Sequence, residues 1–327
     1  MDLTESIFWM NGRLATNCVE ISDDPTSLDK DGFWVTQQSF EGKFICARFA
    51  HAIESELPRK DWEKLTGQWR SSQSQSTFEN NVKEIQNRIA DGDIYQVNLC
   101  RVLTANCDQS LQGLATVLIS KNPAPYASYL KLPGIEIASA SPELFLKRNG
   151  TEIMCSPIKG TSKIAEFGDK DKAENVMIVD LMRNDFGRIC QSGSIDVPRL
   201  LATEKHPGLF HLVSDVVGNL KSGVGWKEII NALTPIGSIS GAPKSSALKT
   251  INELEQVERG PYCGVIGWSQ GDQAEMSVGI RIFWSKQDGK IHFGTGAGIT
   301  WQSEPNGEWE ETELKAKRLI SIAGGGM

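Results

Sequence analysis

Apolar residues along this chain alternate or gather in short blocks more often than they recur at helical spacing. Five stretches are helical. Phe78, Val82, Ile85 and Ile89 fall three or four apart, behind the capping-box spacing of Ser76-Thr77-Phe78-Glu79, and Asp91-Gly92 ends that helix. Residues 111–120 repeat the pattern. Asp169 can cap a helix over 170–182, closed by residues 183–187. Residues 243–255 bring Ala247, Leu248, Ile251 and Leu254 onto one face, before Gly260-Pro261. The last helix is expected over 308–322, where Glu311–Lys315 and Glu313–Lys317 are favourable i,i+4 pairs.

Strand-like runs fill most of the rest. They are expected at 33–35, 43–48, 94–104, 126–131, 135–139, 144–147, 151–154, 194–197, 212–220, 264–269, 276–284 and 290–294. In the run from 94, Gln96, Asn98 and Cys100 share a face. Strands follow one another in hairpin-like runs rather than alternating with helices, so the fold class is α+β with mainly antiparallel sheets. Residues 1–70 are irregular, with Trp9, Trp34, Trp62 and Trp69 scattered along them, and a Ser/Gln run at 71–76 reads as a surface linker. The expected division is therefore a β-rich N-terminal part (1–75) packed on a larger region (76–327).

Composition narrows the function classes. The chain has 327 residues, 39% hydrophobic, enough for a large core, and a net charge of −7. No basic stripe marks a nucleic-acid binder. Apolar runs fall short of the roughly 18 residues that would span a bilayer. The N-terminus lacks the basic and apolar regions of a signal peptide. Seven cysteines with no C-x-x-C pair argue against a disulfide framework or structural zinc. Together these point to a cytoplasmic protein.

Candidate chemistry centres on Ser156-Pro157-Ile158-Lys159-Gly160-Thr161. Pro restricts the backbone and Gly frees it, so Lys159 is either a turn residue facing water or an amine aimed into a site. Asp171 and Glu174, and again Glu308 and Glu311, sit three apart on two helices. Such pairs hold a hard cation such as Mg²⁺, or simply favour the helix dipole. Gly237 to Lys244 lacks P-loop spacing. Gly294-Thr295-Gly296-Ala297-Gly298 is followed by no immediate helix, so it is a tight turn or a backbone cradle for a carboxylate. Glu143, if desolvated, is a candidate general acid, and otherwise a strand-edge surface group. His211 precedes an apolar pair. Arg281, expected within a strand, needs an anionic partner.

These segments resemble the chorismate-utilising enzymes, which include the synthase components of anthranilate and aminodeoxychorismate synthases and the isochorismate and salicylate synthases. The resemblance rests on Ala140-Ser141-Pro142-Glu143, PIKGT (157–161), KDKAENVMIVDLMRNDFGRI (170–189), HLVS (211–214), GSISGAPK (237–244), RGPYCGVIGW (259–268), GIRI (279–282), GTGAGI (294–299) and EWEETELKAK (308–317). It implies an anthranilate synthase component I-like fold, with antiparallel sheets packed as a sandwich and helices outside. The lysine in PIKGT matches the aminodeoxychorismate synthase component I branch; anthranilate synthases carry alanine there. On that resemblance Lys159 is the nucleophile that attacks chorismate as the C4 hydroxyl leaves. Glu143 is the acid, and ammonia from a glutamine amidotransferase subunit displaces the lysine, for p-aminobenzoate and folate synthesis. Gln96 falls where the water-using relatives carry a lysine base. The resemblance further implies Glu174 and Glu311 as Mg²⁺ ligands, with Asp171 and Glu308 acting through water. Arg281, Tyr262 and the amides of Gly296, Ala297 and Gly298 would bind a substrate carboxylate, while Gly160, Thr161 and His211 would line the ring. The chain departs from the pattern in a short loop at 162–169, in Lys172 where arginine is usual and in Ile236. Its abbreviated N-terminal part weakens the expectation of a bound regulatory tryptophan, and no fused lyase or glutaminase is expected. Anthranilate synthase component I and a silent chorismate-binding subunit are the alternatives.

Overall fold

The computed structural model describes residues 3–162, 164–206 and 209–327, without the side chains of Thr161, His206 and Leu209. The N-terminal stretch forms four regular strands: β1 (Ile7–Met10) and β2 (Arg13–Ser22), which were not expected, and β3 (Phe33–Gln38) and β4 (Phe44–Glu54), which extend the runs expected at 33–35 and 43–48. Alternation is masked in β3 because both of its faces are buried, Thr36, Gln37 and Gln38 included. Short β5 (Leu65–Gln68) and β6 (Arg70–Ser71) follow. The Ser/Gln run is not a linker. β6 pairs with β7 (Gln96–Asn106), and buried Gln73 donates to Cys100 O at 3.0 Å. Ser74 caps α1 (Gln75–Ala90) two residues ahead of the expected box, its hydroxyl accepting from Thr77 N. Phe78 of α1 is fully buried and meets Trp309 edge-on at 5.7 Å, a contact whose burial contributes about 2 kcal/mol.

α2 (Leu111–Lys121) and the hairpin of β8 (Tyr126–Leu132) and β9 (Ile135–Ser141) fall where the pattern put them. β10 (Leu144–Asn149), β11 (Glu152–Ser156) and β12 (Ile158–Ser162) lead into α3 (Asp169–Ile189). Gly168 caps α3, not Asp169, and the helix continues through 183–187 because Asp185 pairs with Lys244 and Phe186 is buried. Next come β13 (Asp196–His206), β14 (Leu209–Asn219), α4 (Trp226–Leu233), α5 (Gly237–Ser240), β15 (Gly241–Ala242) and α6 (Lys244–Leu254). The chain closes with β16 (Val265–Gln270), β17 (Gln273–Val278), β18 (Ile282–Ser285), β19 (Lys290–Ile299), α7 (Pro305–Ala323) and β20 (Gly324–Gly326).

Among the described residues, 18 strands form one antiparallel network, and β5 pairs with β20 in parallel beside it. β1 pairs with β8 and β3 with β16, so residues 7–54 are woven into the same sheet as the rest. α3 packs on β12 and β14, and α7 packs on β19. Seven free cysteines are all buried. Among the described residues no helix is long and apolar enough to cross a membrane.

Candidate functional site

Lys159 lies in β12, whose register with β14 shifts between Ile158 and Thr161. Such a bulge re-aims a side chain. Gly160, at φ +85, makes the turn possible, and a Cβ there would come 3.1 Å from both Asp171 Cβ and Phe167 Cδ1. The lysine reaches across to β19, where a Cβ on Gly298 would come 3.8 Å from Nζ and 2.6 Å from Gln96 Nε2. Burial lowers the Lys159 pKa. Glu174, Glu143 and Glu311 oppose that, and Lys315 adds to it. Thr161 pairs with His211 through the backbone, and its side chain lies outside what is described.

Glu143 is 3% exposed, not at a surface edge. Its backbone is clamped: the Glu143 N–H points at Ser141 Oγ, and Val278 N donates to Glu143 O at 3.0 Å. Ser238 Oγ donates to Glu143 Oε1 at 2.9 Å. Burial pushes this carboxyl up to about 7, against the Ser238 hydroxyl, Lys159, the Ile158 N–H and Arg281. It therefore sits where a carboxyl can hold and release a proton near neutrality.

Arg281 is not within a strand. It falls in the break between β17 and β18, at φ +52, with its carbonyl accepting from Ala140 N. A non-glycine residue in that region costs on the order of 1–3 kcal/mol and persists only where its surroundings hold it. Its guanidinium donates toward His211 Nε2 at 3.4 Å, and His211 is buried. Burial lowers the arginine's pKa, as does Arg318, while Glu143 opposes this. The segment Gly294 to Gly298 is not a tight turn either. It continues β19, paired with β7 from Gly294↔Val102 to Gly298↔Asn98. Its glycines answer to packing: Gly294 lies against the Tyr262 ring, and Gly296 lies against Cys100 Sγ and Leu99 O. Tyr262 is buried, and its hydroxyl is pushed up by burial and then by Cys100 and Cys263.

The carboxylate pairs stand on α3 and α7. The Gly168 N–H donates to Asp171 Oδ2 at 3.1 Å, and Ser303 Oγ donates to Glu308 Oε1 at 2.6 Å. Glu174 lies 4.0 Å from Lys170, and Glu311 lies 2.6 Å from Lys315. Burial raises Glu174, against Lys159 and Lys170, with Asp171 and Glu311 adding to the rise. Burial also raises Glu308, with Glu311 adding. Burial works on Glu311 in the same direction, but Lys315, Lys170 and Lys159 outweigh it and hold that carboxyl below its ordinary value. Among the described residues no three acidic, histidine or cysteine side chains already converge as a metal cluster. The donor set is nevertheless all oxygen, with Lys170, Lys315 and Lys159 as the cations acting on Glu174 and Glu311, which suits a hard divalent cation. The second expected helix pair is different: Glu313 ion-pairs with buried Arg101.

Sequence reasoning missed Ser238 and Lys170 as parts of this constellation, whereas the expected Glu311–Lys315 pair forms. Lys315 also donates to Gly296 O at 2.9 Å, tying α7 to β19. The one signal for Ser238 was its place in a glycine-rich run. Shape alone misleads. An open groove of about 710 Å³ runs along the other side of α3, lined by Tyr95, Ala173, Val176, Met177 and Leu181, and it contains none of the candidate groups.

The chain matches the chorismate binding enzymes over residues 26–321. It is 35% identical over 287 residues to anthranilate synthase component 1 of Aquifex aeolicus, covering 83% of this chain and 56% of that protein. It is also 35% identical over 278 residues to aminodeoxychorismate synthase component 1 of Escherichia coli, covering 80% of this chain and 61% of that one. This chain thus spans less than two thirds of the length of those relatives. The structure of anthranilate synthase component I from Streptococcus pneumoniae superposes with a TM-score of 0.84 at 21% identity, covering 98% of this chain and 93% of that one. By sequence the chain belongs to the chorismate binding enzyme family, and it has that family's curled antiparallel α+β fold.

Proposed function

We propose that this protein is an aminodeoxychorismate synthase component I, replacing the C4 hydroxyl of chorismate with an amino group. The observation that carries the proposal is the desolvated Lys159 amine, with its pKa lowered, facing a buried Glu143 whose carboxyl is poised at about 7. A lysine must be neutral to attack, and burial favours that form. Glu143 in its acid form protonates the departing hydroxyl. Ammonia then displaces the lysine. Arg281, with His211 beside it, supplies the positive charge for a substrate carboxylate. Glu174 and Glu311 would hold Mg²⁺, with Asp171 and Glu308 in outer positions, and the ion would neutralise the other carboxylate. A glutaminase subunit would supply the ammonia.

A second reading, anthranilate synthase component I, is favoured by relatives of that name at the same 35% identity. Purified protein with chorismate, Mg²⁺ and ammonium decides between them by mass spectrometry of the product. Aminodeoxychorismate is expected, and release of anthranilate would overturn the branch. Intact-mass analysis of Lys159→Ala should show no enzyme-bound adduct. Undiminished turnover by that variant would remove the lysine from the nucleophile's role.

A further inference from the structure

We infer that Ser238 is a positioning residue for Glu143, its hydroxyl occupying Oε1 so that the transferable proton of the acid sits on Oε2. The inference rests on the reading of Glu143 as the acid. Ser238 is 4% exposed and Glu143 is 3% exposed, and their contact is 2.9 Å. A hydroxyl has one proton to donate, and here it goes to Oε1. In a neutral carboxyl the oxygen that accepts such a bond is the carbonyl-like one, which leaves the O–H on the other. The short helix bearing Ser238 is itself tied down. Arg259 Nη1 donates to Ile239 O at 3.0 Å, Ser240 Oγ donates to Ile236 O at 2.8 Å, and Lys244 donates to Asp185 at 2.8 Å just beyond it. The other groups acting on the Glu143 carboxyl are the Ile158 N–H and Lys159 on β12, Arg281 before β18 and Cys155 on β11.

In the step this geometry serves, the Oε2 proton moves to the departing hydroxyl oxygen. The C–O bond breaks with its electron pair on that oxygen, which leaves as water. The Lys159 lone pair forms the C–N bond, and Glu143 ends as a carboxylate still held by Ser238. Removing the hydroxyl frees the carboxyl to present its proton in either direction. It also takes a donor from the ionised form, so the pKa of Glu143 rises.

The test compares parent, Ser238→Ala, Ser238→Thr and Glu143→Gln as full-length protein, with chorismate, Mg²⁺ and saturating ammonium across a pH series. Ser238→Ala should lose about tenfold or more in kcat with chorismate KM within about twofold. Its alkaline limb, where Glu143 gives up its proton, should move to higher pH, and Ser238→Thr should restore both. A profile superimposable on the parent, or a uniform loss with an unmoved limb that threonine does not rescue, overturns the inference. Parent-like turnover by Glu143→Gln would instead sink the reading of Glu143 as acid. Infrared titration of the Glu143 carboxyl in the substrate-free protein keeps the two failures apart. A raised midpoint in Ser238→Ala supports the hydrogen bond's role, and an unchanged midpoint refutes it, whatever the turnover.

Discussion

The strand-borne and helix-borne halves of the site differ in how far buried charge is compensated. Lys159 and Glu143 hang from the sheet and its breaks, where burial outweighs their partners and pushes each toward its neutral form, whereas Arg281 remains a cation although burial lowers its pKa. The carboxylates of α3 and α7 stand beside Lys170 and Lys315; burial raises Glu174 and Glu308 there as well, but Glu311 is held below its ordinary value by its lysines. Desolvation without full compensation suits groups that trade protons. A cluster of carboxylates with replaceable cations suits a fixed charge. The two groups stand on different kinds of element: Lys159 and Glu143 on a buried part of the sheet, and the carboxylate pairs near the N-termini of α3 and α7, where Glu311 is exposed and Glu308 is buried.

The largest effect should come from the strand side. Glu143→Gln is expected to lower kcat by about 10²–10⁴, with chorismate binding within about threefold by calorimetry. A variant with normal turnover would erase the distinction. Next is the pH dependence of stability. The folded carboxyl takes its proton at about 7 rather than 4.5, so the folded state binds more protons between those values. Stability contributed by this group is therefore full below 4.5 and is lost as pH rises toward 7, by about 3 kcal/mol in all. Urea melts of parent and Glu143→Gln at the two ends of that window should diverge by that amount, and parallel curves would show that the carboxyl is not desolvated.

On the helix side, Glu174→Gln and Glu311→Gln should weaken Mg²⁺ binding by tenfold or more in titrations with chorismate present. Asp171→Asn and Glu308→Gln, as outer groups, should weaken it by roughly tenfold. Unchanged Mg²⁺ affinity in all four would remove the cation from this site. The smallest effect is expected from Lys315→Met. Its ion pair with Glu311 is half exposed on both sides, so denaturant unfolding should shift by under about 1 kcal/mol.

The helices were legible because their apolar spacing is local: α1, α2, α6 and α7 lie within a few residues of the sequence expectation. The N-terminal strands were less so: β3 and β4 were expected over only part of their lengths, at 33–35 and 43–48, and β1 and β2 were not expected, because β3 is buried on both faces and none of the four alternates cleanly. The cap of α3 was misplaced by one residue because Asp169 is a good cap by composition, whereas glycine carries no capping side chain. The N-cap is Gly168, and Asp171, three residues on, accepts from its N–H. Gly294 to Gly298 looked like a turn because glycines usually mark one. Here they mark the side chains of Tyr262, Cys100 and Gln96 pressing on a strand.

Local order in the chain was enough to place Lys159 beside Pro157 and Gly160, to put each carboxylate pair on one helix face, and to establish the antiparallel α+β class. Those properties depend on neighbours within one turn or one hairpin. Whether Lys159 faces water or the interior, whether Glu143 is exposed or buried, and which hydroxyl holds it were decided by contacts between residues far apart in sequence. Ser238 lies 95 positions from Glu143. Desolvation is a property of the packed volume around a group, and no local pattern encodes that volume.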